Sequence, residues 1–298
     1  MSDSDQAMLD RTDASVPTPD ETPAEKTLSP MDRVRLARDP QRPHTLDYLR
    51  ELFADFTELH GDRSFGDDRA LLGGLATFRG RTVMVMGHQP GTNTRENIER
   101  NFGMPRPEGY RKAVRLMAHA QKFGFPIITF IDTPAADPGV GSEERGQGTA
   151  IAESLLAMIG TEVPIVCAVI GQGGSGGALA ISVGDRLLML ENAIYAVAPP
   201  EACAAILWKD ASKAPEAAAT MRITARDIEG FGIIDEVIPE PIPAHEAPRD
   251  TIRAVGDRIE ANLAELEASL GDGNPDAIAT LLAKRHEKFR RIGAWAEL

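Results

Sequence analysis

A chain of 298 residues is long enough to bury one large core or two modest ones, and 42% hydrophobic with 26% charged residues is the balance of an ordinary globular protein. A net charge of -13 argues against a general binder of nucleic acid or of anionic membranes. Only Cys167 and Cys203 are present, without a CxxC pair, so neither a disulfide scaffold nor a cysteine zinc site is expected. Asp3, Asp5 and Asp10 stand where a secretory signal needs basic and apolar residues, and the expected localisation is cytoplasmic.

Residues 1–30, rich in Asp, Glu, Pro, Ser and Thr, read as a disordered acidic leader. A short helix is expected over Met31–Ala37. A second is expected over Thr45–Glu58, where Leu46, Leu49, Leu52, Phe53 and Phe56 recur at helical spacing. Ala70–Phe78 and Thr82–Met86 predict a strand pair turning at Arg79 and Gly80. Residues 87–113 are too polar for core and too long for a tight turn, so they predict a functional or interface loop ahead of a helix from about Pro107 to Gly124.

Two β-branched runs follow, Ile127–Ile131 and Pro164–Ile170, each feeding a loop of small residues and then a helix. The first helix is expected from Ser142 to about Ile159, the second from about Gly176. Strands are predicted at Arg186–Leu190, Ala193–Ala198 and Ile233–Ile238, with helices after Pro200 and over Thr224–Glu229, and Tyr195 and Trp208 are assigned to the core. Beyond Pro239, Pro241 and Pro243, residues 244–298 read as a helical extension suited to docking or dimerisation, its first helix amphipathic through Ile252, Val255, Ile259, Leu263 and Leu266.

The chemistry concentrates in GQGGSGGA, residues 171–178. Bare backbone amides past the carboxyl end of a strand can receive an anion or a developing oxyanion, and Gly173 and Gly174 are the best candidate donors. The competing reading is that these glycines only permit a sharp turn and close packing. Ser175 satisfies GxSxG superficially, as a nucleophile or as a helix N-cap. His88 could orient a substrate or a loop, and Asp132 could be a base or cap the Thr133 turn. Arg111 and Lys112 could neutralise a carboxylate or diphosphate, or lie on a solvated helix face. Neither glycine loop fits GxxxxGK[ST], and the spacing of a dinucleotide fingerprint is missing.

GHQ at 87–89, RNFGMPRPEGYRKA at 100–113, FIDTPAADPGVGSEERGQ at 130–147, VIGQGGSGGALAI at 169–181 and ILWKD at 206–210 resemble, in order, the carboxyltransferase alpha subunits of multisubunit acetyl-coenzyme A carboxylase. The resemblance implies a crotonase-like α/β fold of repeated ββα units over residues 31–243 with C-terminal helices. It implies transfer of a carboxyl group from carboxybiotin, presented by the biotin carboxyl carrier protein, to acetyl-CoA, giving malonyl-CoA. It further implies an alpha2beta2 complex with a beta subunit that carries the zinc and the coenzyme A side, and a biotin carboxylase that uses ATP. On the same ground Gly173 and Gly174 become oxyanion donors, and Gly139, Gly141, Ser175, His88, Arg111 and Lys112 become candidate cofactor-binding residues.

The chain departs from the resembled family at Ala135, where Gly is usual, at Asp137, where an aromatic ring is usual, and at Pro90, where Lys is common. Two further readings are a single-chain acyl-CoA hydratase or isomerase using Glu143 or Glu144, and a noncatalytic carrier-binding scaffold.

Overall fold

The computed structural model describes residues 28–271 and 273–293. Nearly all of the expected acidic leader lies outside the described residues. The first helix, α1 (Pro30–Ala37), is started by a capping box in which Ser29 and Asp32 satisfy each other's backbone N–H. Helix α2 (Thr45–Leu52) ends six residues earlier than its periodicity predicts, because Phe53–Glu58 is strand β1. The cause is a register break between Ala54 and Thr57 at Asp55, whose φ is +54°. An irregular strand can place Phe53 and Phe56 on one side three residues apart, and that spacing imitates a helix.

Strands β2 (Leu71–Phe78) and β3 (Arg81–His88) form the expected antiparallel pair. The polar segment contains α3 (Thr94–Glu99) and a 3-10 turn, and α4 (Pro107–Phe123) is closed by Gly124 at φ +72°. Then come β4 (Ile127–Thr133), α5 (Val140–Glu144), α6 (Gln147–Gly160), β5 (Ile165–Gly174) and α7 (Ser175–Leu179). The single helix expected over Ser142–Ile159 is thus two, divided at Gly146, where φ is +81°. The remaining elements are β6 (Arg186–Leu190), β7 (Ile194–Ala196), α8 (Pro200–Trp208), α9 (Ala214–Met221), α10 (Ala225–Gly230), β8 (Glu236–Ile238), α11 (Pro248–Leu270) and α12 (Pro275–Arg290).

The strands make one sheet in the order β1-β2-β3-β4-β5-β6-β8, with β7 beside the end of β5. From β3 onward the pairing is parallel, and every residue of β4 is buried, which is why its apolar residues run without alternation. Adjacency of β4 and β5 brings the two loops of small residues to the same edge of the sheet. Helix α11 buries Ile252, Val255, Ile259, Leu263 and Leu266 in the same core as the sheet, so the expected docking face of the extension is covered by the chain's own body. Trp208 is 38% exposed, not in the core.

Candidate active site

The cradle at the ends of β4 and β5 is built by close approach of backbone. A Cβ on Gly174 would come closer than 3.0 Å to the Pro134 carbonyl, and one on Gly177 would meet the Ala135 and Ala136 backbone equally closely. Gly171 is crowded by the Asp132 carboxylate, and Gly173 by the Tyr195 ring. Gly173 pairs with Thr133 of β4 and with Tyr195 of β7, so its peptide lies within the sheet, while Gly174 is the N-cap residue of α7. Packing and the donor geometry therefore draw on the same glycines. A side chain at residue 174 collides with the backbone of Thr133 and Pro134, so any substitution there disturbs the end of β4 as well as that of β5.

Gly173 and Gly174 line a small cavity of about 10 Å³ with Arg38, Pro134, Gln172, Ile194, Ala196, Ala198 and Pro199. That is room for about one water. Beside it a hollow of about 540 Å³ is walled largely by apolar side chains, among them Leu179, Val197, Met221, Ile223, Ile228 and Phe231, with Ser175 and Gly176 at its edge. Ala196 borders both spaces. The Tyr195 hydroxyl is tied to Ser182 at 2.8 Å, which fixes the ring against Gly173.

Ser175 is exposed with φ +54°, and the α7 cap has no side-chain hydrogen bond, so the N-cap role belongs to Gly174 alone. Asp132 does not cap the following turn, which Thr133 closes itself through its hydroxyl to the Ala135 carbonyl at 2.7 Å. Instead one Asp132 oxygen meets His44 Nδ1 at 2.6 Å, and the other accepts the Gln172 N–H at 3.0 Å. Burial opposes a charged His44, but the Asp132 hydrogen bond and charge outweigh it and raise the imidazole above its ordinary 6.5.

His88 is fully buried behind Asp132, whose N–H approaches its Nδ1 at 3.4 Å. Burial lowers its pKa to about 4, against the pull of Asp132 and of nearby backbone, and its ring lines neither of the two spaces beside the glycines. Lys112 is 0% exposed, held by Asp67 at 2.6 Å and by the Asp68 carbonyl at 2.8 Å. Arg111 bonds Asp62 at 2.8 Å and Glu108 at 3.1 Å. Both cations brace the segment 59–69 against α4, correcting the solvated-face reading and leaving neither free for a ligand. Gly139 caps α5 and Gly141 lies inside it, and neither lines the cradle. Glu143 and Glu144 are exposed on the same short helix and line neither cavity.

Asp137 has a role of its own. Its carboxylate accepts from the Ser142 hydroxyl at 2.5 Å and from Asn101 at 3.1 Å, so a hydrogen-bonded brace stands where the resembled sequences place a ring. Ala135 keeps an ordinary backbone without positive φ and needs no glycine. Sequence reasoning missed Arg38, Arg42 and His44 in the linker between α1 and α2: the two arginine side chains reach the end of β5, and the His44 side chain reaches Asp132 of β4.

A parallel core with backbone-walled loops at the carboxyl ends of adjacent strands is the ligand-binding arrangement of an α/β protein, and the fold is the one shared with solved structures of the crotonase-like class. A transcarboxylase 12S core with methylmalonyl-coenzyme A bound superposes with TM-score 0.61 at 21% identity, covering 78% of this chain and 44% of the other. A Pseudomonas malonate decarboxylase hetero-tetramer in complex with coenzyme A gives 0.58 at 19%, covering 76% and 90%. Residues 18–293 match the family described as acetyl co-enzyme A carboxylase carboxyltransferase-like. The acetyl-coenzyme A carboxylase carboxyl transferase subunit alpha of Anoxybacillus flavithermus is 55% identical over 91% of this chain and 81% of its own, and that of Aquifex aeolicus 52% over 91% and 82%. The chain belongs to this family of carboxyltransferase alpha subunits. Among the described residues no helix is long and apolar enough to cross a membrane, and no group of three or more His, Cys, Asp or Glu could hold a metal.

Proposed function

We propose that the glycine cradle and the apolar hollow beside it form the biotin side of a carboxyltransferase site shared with a beta subunit. The chain is an enzyme subunit of acetyl-CoA carboxylase, and the activity is carboxyl transfer to acetyl-CoA, yielding malonyl-CoA for fatty acid biosynthesis. The observation that carries the assignment of the site is the cradle, where backbone is left bare because no side chain fits at Gly171, Gly174 or Gly177.

The residues fit a ureido group. Its oxygen needs N–H donors unshielded by side chains, and the bicyclic ring needs an apolar wall of the size the hollow provides. When bound, carboxybiotin supplies the carboxyl group that is transferred. The peptide N–H groups at Gly173 and Gly174 would face the ureido oxygen and stabilise negative charge there, and Leu179, Val197 and Ile223 would hold the ring and exclude water. Asp132, the carboxylate beside Gly171, is buried with its two oxygens committed to His44 and to the Gln172 N–H, so among the described residues no free base faces the small cavity, and the proton leaving the acetyl methyl group is assigned to an acceptor other than Asp132. The beta subunit holds the thioester and carries the zinc, in an alpha2beta2 assembly served by the biotin carboxyl carrier protein and an ATP-dependent biotin carboxylase in the cytoplasm.

Exposure of Glu143 and Glu144 away from both cavities disfavours a hydratase or isomerase, which needs a placed carboxylate. The test is Ala196→Phe, which puts a ring at the border of the two spaces. The expected result in the alpha-beta pair is about a tenfold loss of kcat/KM for free biotin with the KM for malonyl-CoA unchanged. An unchanged biotin constant places the ring elsewhere.

A further inference from the structure

We propose that the linker segment Arg38–His44 is a positioning element for the glycine cradle, gripping the last residues of β5 before Gly173 at three points. The proposal rests on the cradle being the reacting site.

Arg38 Nε donates to the Gln172 side-chain oxygen at 3.0 Å, with its guanidinium paired to Glu201 of α8 at 2.7 Å. Arg42, 2% exposed, donates from Nε to the Ile170 carbonyl at 2.6 Å and is held by Glu240, just past β8, at 2.9 and 3.0 Å. Glu240 in turn accepts the Asn192 N–H at 2.6 Å and the Ala244 N–H at 3.2 Å. His44 acts through Asp132, which accepts the Gln172 N–H at 3.0 Å. Thus the carbonyl of residue 170, the amide of 172 and the side chain of 172 are each fixed from one seven-residue stretch. The stretch itself is stiffened by Pro40 and Pro43, by the Arg42 N–H to the Asp39 carbonyl at 3.0 Å, and by the Gln41 N–H to the Asp39 side chain at 2.8 Å.

Energetics favours a geometric role. Two of the three donors, Arg42 and His44, are taken out of water with their carboxylates, where such pairs contribute little net stability against an apolar alternative. What they supply is direction, because carboxylates from β4, α8 and the segment after β8 fix where each donor points. Displacement of Gln172 moves Gly173 and Gly174 with it, and misplacement by an ångström in a preorganised site costs about a hundredfold in rate.

Two variants separate positioning from bulk stability. Asp132→Asn keeps the shape of the side chain and removes its charge, and Arg38→Met acts at a half-exposed site where folding is safe. In the alpha-beta pair, each is expected to lower kcat about tenfold to a hundredfold with the KM for malonyl-CoA unchanged. In the isolated chain, hydrogen exchange at Gly171–Gly174 is expected to quicken about tenfold in Asp132→Asn, with Val166–Val169 still protected. Wild-type kcat in both variants, unchanged exchange at Gly171–Gly174, or an equal rise of exchange along all of β5 overturns the proposal. A wild-type pair without carboxyl transfer refutes the proposed function instead, and the exchange comparison still decides the positioning.

Discussion

Gly174 lies so close to Pro134 that a Cβ at residue 174 would sit inside 3.0 Å of the Pro134 carbonyl oxygen. The loop after β4 and the end of β5 therefore touch through backbone alone. Gly174→Ala is expected to lower stability by about 1 to 3 kcal/mol and to reduce turnover, because one loop must move. At Gly173 a Cβ would meet the Tyr195 ring, held in place by Ser182, and the Ile194 carbonyl at 3.0 Å, so Gly173→Ala is also expected to cost stability, but less than Gly174→Ala because the atom it strikes first belongs to a side chain rather than to backbone. Denaturant melts of the two variants, read beside their turnover, check the order.

His88 makes stability depend on pH with a definite sign. Its folded pKa is lowered to about 4 by burial, while the unfolded side chain titrates near 6.5. Between those values the unfolded chain binds the proton and the folded chain does not. Stability from this group is therefore full above the unfolded value and falls as pH drops toward 4, by up to about 3 kcal/mol. The groups facing the ring are Asp132 and the backbone of Gly177 and Phe130. In His88→Phe this component is absent, so the stability gap between wild type and variant should shrink between about pH 7 and about pH 5 in urea melts.

Arg285 of α12 pins the tail to the body. It is buried against Asp185 at 2.7 and 2.9 Å and donates to the Met158, Thr161 and Val163 carbonyls at 2.8, 2.5 and 3.0 Å. Arg285→Met leaves Asp185 and those carbonyls without their donor and is expected to cost about 3 to 5 kcal/mol, measured by chemical denaturation. A cost under about 1 kcal/mol would show that the tail is only loosely attached.

Lys112 gives the converse case. With its ammonium committed to Asp67 and the Asp68 carbonyl, Lys112→Met is expected to destabilise the segment 59–69 while leaving the KM values for biotin and malonyl-CoA unchanged. A selective rise in either KM would restore it as a ligand-binding residue.

Much of the architecture was legible because burial on both faces forces unbroken apolar runs. Ile127–Ile131 and Pro164–Ile170 read as strands from their short β-branched runs, and the glycines after them marked the cradle. Phe53 and Phe56 misled because the irregularity at Asp55 breaks strand alternation. Arg38, Arg42 and His44 stayed hidden for a different reason. Their partners at residues 132, 170, 172, 201 and 240 are remote in sequence, and a charged residue beside prolines looks locally like any exposed linker. Lys112 and Arg111 were misplaced likewise, since helical spacing does not reveal that a polar segment folds back over that face.

The central claim is a site completed by two subunits. Its most direct measurement is carboxyl transfer in reverse, from malonyl-CoA to free biotin, by this chain mixed with a beta subunit and by each chain alone. Turnover in the mixture and none in either chain alone is the predicted result. Equal turnover by this chain without a partner, or a stable complex with no turnover, would contradict it.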